Sequence, residues 1–303
     1  MPPTISPIPG EADILSEGQS STARDDLFPP ELVDMFLGYA VDDKDLPTLK
    51  AASLVCRSWW ALSCPYIFRR VVVISESSLE GLAGFLEPDQ GAHRYISTLA
   101  IHPRPTEPFG PAHWVDDVPA KLAAMGPRLR VLELVQLNEH DTHLGAGFVR
   151  GLAGFAAVDS LTLHECSMTP PLLRALLSAP PALRTVTVRS LITTQVGTGA
   201  VLPCLRSPAL RSLEVRPTAG YTSSAENILP WIATTATAQS LRALRLTVRI
   251  SESVGVGQFV LAVGERLEEL ELELEPFLDL PLETAGESLV AQDTLDTGLT
   301  KLQ

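Results

Sequence analysis

The chain has 303 residues, 45% hydrophobic and 19% charged, which suffices for one large or two smaller domains with a sizeable core. Its formal net charge is −13. This argues against nucleic acid as a partner, because proteins that neutralise phosphates normally carry a basic face.

The acidic residues are concentrated at the two ends of the chain. Residues 27–264 contain 20 acidic and 20 basic side chains and are neutral. Residues 1–26 contain five acidic side chains against one basic, and residues 265–296 contain 11 against one. The charge is therefore a local property of the ends and not of the central body.

Cysteine usage and hydropathy indicate the compartment. Cys56, Cys64, Cys166 and Cys204 form no Cys-x-x-Cys pair, which favours buried free thiols in a reducing environment. The N-terminus lacks a basic region followed by an apolar run, so we expect no signal peptide. No stretch approaches the ~18 apolar residues of a membrane span. We therefore expect a cytoplasmic or nuclear protein, or one present in both, without a membrane partner.

The first 25 residues are rich in Pro, Ser, Gly and acidic side chains, so we predict a disordered tail over 1–25. Three short helices are predicted in a first domain over 26–70. The first has apolar residues at i, i+1, i+4 and i+5, namely Leu32, Val33, Phe36 and Leu37. Such a small unit buries little surface alone and needs a partner or a neighbouring domain.

Residues 71–303 are predicted to form a repetitive α/β domain. The pattern apolar-x-x-apolar-x-apolar recurs every 25–33 residues, and its last two apolar positions alternate as in a half-buried strand. Four of the matches begin with the dipeptide Leu-Arg, which contains Arg130, Arg184, Arg211 and Arg242. The matches begin at Phe68, Ile96, Leu129, Val158, Leu183, Leu210, Leu241, Leu267 and, incompletely, Leu299.

Helices are predicted between these strands. One starts at Pro170 with Thr169 as its cap and carries an apolar stripe of leucines. Each strand-plus-helix unit leaves an apolar face that the next unit covers, so we expect a curved solenoid with a parallel sheet on its concave side. The unfinished match at Leu299 implies either a truncated product or an open last edge.

Residues 27–68 resemble an F-box. The resemblance rests on the opening Phe28-Pro29-Pro30-Glu31-Leu32, on Val33 and Phe36, and on the run Ser53-Leu54-Val55-Cys56-Arg57-Ser58-Trp59. Phe28 replaces the usual leucine and is still large and apolar. Residues 68–303 resemble degenerate leucine-rich repeats, in which only Cys166 occupies the position usually held by Asn or Cys. The implied architecture is an N-terminal three-helix F-box followed by an irregular leucine-rich-repeat solenoid.

The F-box resemblance implies that the first domain binds a Skp-type adaptor, which connects it to a cullin scaffold and a ubiquitin ligase. The alternative is that the three helices cap the N-terminal end of the solenoid. The expected adaptor-binding residues are Phe28, Pro29, Leu32, Val33, Phe36, Leu54, Val55, Cys56 and Trp59.

Strand parity predicts which residues line the concave face. If Leu132 and Leu134 face the core, then Val131, Glu133 and Val135 face the concavity. By the same rule Arg189, Arg216 and Arg245 form a basic strip, and Glu269, Glu271 and Glu273 form an acidic strip beside it. These six residues are the expected target-binding residues, the alternative being an ordinary solvated surface.

The motifs of enzymes are missing from the sequence. It contains no Walker loop, Gly-x-Gly-x-x-Gly or Gly-x-Ser-x-Gly, and the two histidines of residues 140–143 lie in a predicted loop. We therefore expect no catalytic residues, no metal site and no cofactor. The resemblance implies the substrate-recognition subunit of a cullin-type (SCF) ubiquitin ligase. The alternative is an F-box scaffold without a degradative role.

Overall fold

The structure is a computed structural model that describes residues 28–43, 45–86, 92–103, 112–125, 128–142, 144–193, 207–216, 225–249 and 253–275. The chain divides into two compact units, Met1–Ile67 and Phe68–Gln303, a boundary three residues before the predicted one. The predicted tail, the repeat start at Leu299, and Cys204 lie outside the described residues.

The first unit contains three helices: α1 (Pro30–Asp42), α2 (Leu46–Ser53) and α3 (Arg57–Ile67). Its core joins Val33, Leu37 and Ala40 of α1 to Leu49 and Ala52 of α2. Proline suits the first turn of α1 because the amide that it lacks would have no helical partner.

Helix α2 begins with a side-chain cap. The Asp45 carboxylate accepts a hydrogen bond from the Thr48 amide at 3.1 Å and another from the Thr48 hydroxyl. These hydrogen bonds lower the pKa of Asp45, because they favour its charged form.

The second unit is built on an eight-stranded sheet in which every neighbouring pair of strands is parallel, confirming the predicted α/β class and parallel sheet. Each strand begins two residues after a match of the sequence pattern. In spatial order the strands are β1 (Arg70–Val73), β2 (Thr98–Ile101), β3 (Val131–Val135), β4 (Ser160–His164), β6 (Thr185–Arg189), β8 (Ser212–Arg216), β9 (Ala243–Arg249) and β10 (Glu269–Glu275).

The apolar pattern positions form the core of this unit. In the match that begins at Leu129, for example, Leu129, Leu132 and Leu134 are fully buried. The same three positions are buried in the matches that begin at Ile96, Val158, Leu183, Leu210 and Leu241. At β10 they are only partly buried, and this strand has a single paired neighbour in the described part of the chain.

Helices connect the strands, as the sequence predicts. They are α4 (Glu76–Phe85), α5 (Trp114–Lys121), α6 (Glu139–Thr142), α7 (Ala146–Leu152), α8 (Pro170–Ser178), α9 (Ala225–Ala233), α10 (Thr237–Ser240) and α11 (Ser253–Val263). Thr169 precedes α8 as predicted, but its side chain does not cap that helix and instead binds Glu139. Two further short strands, β5 (Ser167–Met168) and β7 (Ile192–Thr193), pair in parallel beyond the ends of β4 and β6.

Both ends of the strands repeat the same backbone arrangement. At the start, the carbonyl of the second pattern residue accepts two amides from the next strand, as Arg184 does from Arg211 and Ser212 at 2.7 and 3.0 Å. At the end, Gln136, Glu165 and Ser190 adopt positive φ values of 52°, 53° and 60° immediately after β3, β4 and β6. This periodicity holds neighbouring strands in register.

Helices α5 and α7 approach closely because glycine lines their contact. A Cβ on Gly151 would lie 2.5 Å from Cβ of Pro119, closer than two carbon atoms tolerate. The Asp116 carboxylate of α5 accepts hydrogen bonds from the amides of Gly145 and Phe148 at 3.1 and 2.9 Å. Asp116, which belongs to the preceding helix α5 of the same unit, therefore caps the start of α7.

Substituting Gly151 with alanine should therefore destabilise the second unit. Relief of the clash with Pro119 requires α5 and α7 to separate, at a cost of about 1–3 kcal/mol in the free energy of unfolding. The matched control is Gly81→Ala in α4, because a Cβ there meets nothing within 4 Å. Urea unfolding should show Gly81→Ala to be as stable as the parent or roughly 0.5–1 kcal/mol more stable. Equal stability of the two variants would contradict the close packing.

Candidate protein-binding surfaces

Helix α1 carries two apolar stripes, and only one of them is buried. Val33, Leu37 and Ala40 recur at i, i+4 and i+7 and face the core of the first unit. A second stripe, displaced by one residue, remains exposed, and we call it the exposed stripe: Leu32, Met35, Phe36 and Tyr39, with exposed fractions of 45% or more. A monomer rarely leaves such a stripe in water without a binding role.

An aromatic cluster adjoins the exposed stripe. The Trp59 ring of α3 lies 6.3 Å from that of Phe28 in an edge-on arrangement, and 6.0 Å from that of Phe36. These separations lie in the range of favourable aromatic pairs. The cluster therefore fixes the positions of Phe28 and Phe36 although both rings remain about half exposed.

The turn between α2 and α3 is the most exposed apolar element of the unit. Leu54 is 84% exposed and Val55 63%, whereas Cys56 is half-buried. The backbone of the turn is held by hydrogen bonds from the Leu54 and Val55 amides to the carbonyls of Ala51 and Ala52. The turn thus presents two aliphatic side chains on an ordered backbone.

The structure corrects one predicted adaptor-binding residue. Val33 is only 3% exposed and packs inside the first unit, so it supports the fold and is not available to a partner. Pro29 stands at the start of α1 with its ring exposed. Sequence reasoning also missed exposed apolar residues on this unit, and these are Met35, Tyr39, Leu46 and Trp60. Met35 and Tyr39 could have been found from their helical spacing to Leu32 and Phe36.

The second unit presents the side of its sheet that points away from the core, here called the open face. Burial alternates along β3 and β4 as strand parity predicts, with Leu132 and Leu134 buried and Glu133 half-buried. Ala100 of β2, expected on this face, is fully buried. Its neighbours explain this, because Arg70 of β1 reaches Glu133 of β3 at 2.6 Å and their ion pair crosses β2.

The predicted basic strip is interrupted by a glutamate. Arg189 and Arg216 occupy the same register position, and both contact Glu214, at 3.5 and 2.8 Å respectively. In the register of the sheet, Arg245 lies two residues before the position that Arg189 and Arg216 share, and it stands opposite Glu214. The three arginines therefore form no continuous basic row, and the carboxylate among them reduces their mutual repulsion.

Arg245 contacts the predicted acidic strip and neutralises part of its charge. This arginine pairs with Glu269 and also contacts Glu271 at 3.3 Å. The hydrogen bond to Glu269 raises the pKa of Arg245, because it favours the charged guanidinium. Glu273 accepts a hydrogen bond from the Thr247 hydroxyl at 3.0 Å. One arginine thus faces two of three glutamates, and this end of the open face keeps a negative excess.

A chain of hydrogen bonds connects the ends of three strands. His102 Nε2 lies 2.8 Å from Gln136 Oε1, and Gln136 Nε2 donates to Glu165 at 2.7 Å.

The buried thiol of Cys166 donates to the Leu134 carbonyl at 3.2 Å, and burial raises its pKa to about 11. A thiol with this pKa stays protonated near neutral pH and is a poor nucleophile.

Two negative findings concern the described ranges alone. No group of three His, Cys, Asp or Glu side chains there is placed to hold a metal ion. None of the helices described is long and apolar enough to cross a membrane. In comparisons with known proteins, no family model matches the chain and no curated protein matches it.

Removing the shared carboxylate on the open face should destabilise the second unit. In Glu214→Gln, Arg189 and Arg216 become unshielded like charges on adjacent strands, and we expect a loss of about 0.5–1 kcal/mol in unfolding free energy. The loss should shrink in high salt. The control is Glu80→Gln, which removes an exposed carboxylate 3.9 Å from Lys121. A Glu214→Gln loss no larger than that of the control would contradict this role.

Proposed function

We propose that this protein is the substrate-recognition subunit of a cullin-type ubiquitin ligase. In this proposal the first unit is an F-box that binds a Skp-type adaptor. The second unit is an irregular leucine-rich-repeat domain that binds the target protein. The observation that carries the proposal is the apolar surface of the first unit, which includes the exposed stripe of α1, Phe28 and the Leu54–Val55 turn.

The size of the first unit supports an obligatory partner. In the described part of the unit, the main apolar cluster has five buried residues with five partly buried ones packed against them. At least nine large apolar side chains of the same unit are 43% or more exposed: Phe28, Leu32, Met35, Phe36, Tyr39, Leu46, Leu54, Val55 and Trp60. Burying them against an apolar partner releases ~25 cal/mol per Å² of surface. Adaptor binding thus removes apolar surface that the unit's own fold leaves in water.

In the proposed role, the protein contributes no catalytic residues of its own. It would act by proximity, holding the target near a conjugating enzyme that the cullin scaffold recruits, because positioning raises the effective concentration of the reacting groups. The cullin is reached through the adaptor in this arrangement and needs no direct site on this chain.

The open face is the proposed target-binding surface. Its charged side chains include Arg189, Arg216 and Arg245 as well as the glutamates of β10. The negative excess at Glu271 and Glu273 favours a target that presents a basic patch at this end, by charge complementarity.

Polar substitutions on the turn of the first unit should abolish adaptor binding without unfolding it. Leu54→Asp/Val55→Asp places two carboxylates where we expect an apolar contact, and recovery of purified Skp-type adaptor by the immobilised full chain should fall at least tenfold. The matched control is Val254→Asp/Leu261→Asp, which alters two apolar side chains of α11 that are 71% and 73% exposed. The control should recover adaptor like the parent. Equal recovery by both variants, or none by the parent, would refute adaptor binding.

Neutralising the acidic end should weaken binding of a basic segment. A fluorescent Lys-Gly peptide should bind the parent at low salt and lose affinity as salt rises. Glu271→Gln/Glu273→Gln should lower this affinity by about threefold to tenfold, whereas Glu76→Gln/Glu80→Gln on α4 should leave it unchanged. Equal effects of the two pairs would show non-specific attraction to a negatively charged protein.

A further inference from the structure

Three of the second-position arginines of the sequence pattern lie side by side at the strand starts. Arg184, Arg211 and Arg242 directly precede β6, β8 and β9, which are adjacent in the sheet. Their backbones are joined, since the Arg211 amide donates to the Arg184 carbonyl at 2.7 Å and the Arg242 amide to the Arg211 carbonyl at 2.8 Å. Adjacent strands lie ~4.8 Å apart. We call these three residues the rim arginines.

The rim arginines differ electrostatically from the arginines of the open face. All three are exposed. Among the described residues Arg184 and Arg211 form no ion pair, and Arg242 makes a single 3.4 Å contact with Glu268. Arg189, Arg216 and Arg245, by contrast, are each paired with a glutamate. The uncompensated positive charge of this region is therefore at the strand starts.

A shallow cleft opens beside the rim arginines. Its volume is about 490 Å³, and it is lined by Arg211, Gln239, Ser240, Arg242 and Glu268. The Arg242 guanidinium is oriented by the Arg266 carbonyl at 3.2 Å as well as by Glu268. Two guanidinium groups, an exposed amide side chain and the Glu268 carboxylate that pairs with Arg242 therefore surround a space large enough for a carboxylate-bearing side chain.

The charged residues on either side of the rim arginines indicate which kind of anionic partner these arginines can bind. Asp159 precedes β4 on one side of the rim arginines, and Glu268 precedes β10 on the other. These carboxylates bound the row of three arginines, since the next arginine, Arg130, follows only beyond Asp159 at the start of β3, so a long polyanion such as nucleic acid would meet repulsion at both ends of the row. A short acidic segment can lie across Arg184 and Arg211, neither of which forms an ion pair among the described residues, and it reaches Arg242 in competition with Glu268. Carboxylates on alternate residues of an extended peptide are ~6.7 Å apart, within reach of flexible arginine side chains on neighbouring strands.

We propose that the rim arginines and the adjoining cleft bind a short acidic peptide segment of a partner protein. This surface is distinct from the open face, and it requires neither adaptor binding nor ligase function. Two or three charge-assisted hydrogen bonds, rather than apolar burial, supply the affinity, so binding weakens as salt rises.

Fluorescence anisotropy with the full chain tests this proposal. The probes are a labelled ten-residue peptide with Asp and Glu at alternate positions and a single-stranded oligonucleotide of similar charge. The test variant is Arg184→Gln/Arg211→Gln. The control is Arg150→Gln/Arg174→Gln, which makes the same charge change at exposed positions on α7 and α8. Circular dichroism verifies that both variants are folded.

We expect the acidic peptide to bind the parent in low salt and to bind the test variant at least tenfold more weakly, with the control within about twofold of the parent. Binding of the oligonucleotide should be weaker than that of the peptide. The proposal is overturned if the parent does not bind the peptide, if both variants lose affinity equally, or if the oligonucleotide binds more tightly and depends on the same arginines.

Discussion

The hydrogen-bond ladder between parallel strands is the constraint on which the second unit depends. Each carbonyl at the second pattern position accepts two amides of the following strand, for example Ser97 from Arg130 and Val131 at 2.9 and 3.0 Å. This arrangement sets a common register, and the register places the apolar pattern residues in one continuous core. It also places equivalent polar residues in rows. The paired charges of the open face and the rim arginines are both consequences of that register.

Much of the second unit could be predicted from its sequence. A strand that is buried on one face has apolar residues at every second position, and successive repeats along the chain show the same pattern. All eight main strands begin two residues after a match of the pattern. Strand parity gives the face of a side chain but not its neighbour. Arg189 and Arg216 stand seventh in their matches, whereas Arg245 stands fifth and meets Glu214 instead. Counting from the start of each match would have revealed this offset.

The first unit shows a different limit of sequence reasoning. Leu32 and Val33 are adjacent, both apolar, and each begins a stripe with helical spacing. Periodicity alone cannot decide which stripe is buried, since that choice depends on where α2 and α3 pack. The structure buries Val33 and leaves Leu32 half exposed. The exposed apolar surface is thus a property of tertiary packing, and it is also the feature that best supports an adaptor partner.

Hydrogen–deuterium exchange of the full chain, with and without purified Skp-type adaptor, tests the central claim most directly. Adaptor binding should slow exchange in α1, in the Leu54–Val55 turn and at the start of α3, because a bound partner excludes water from their exposed apolar surface. Amides of β3, β4 and β6 should exchange at unchanged rates. Unaltered exchange throughout the first unit at saturating adaptor, or protection confined to the sheet, would contradict the account.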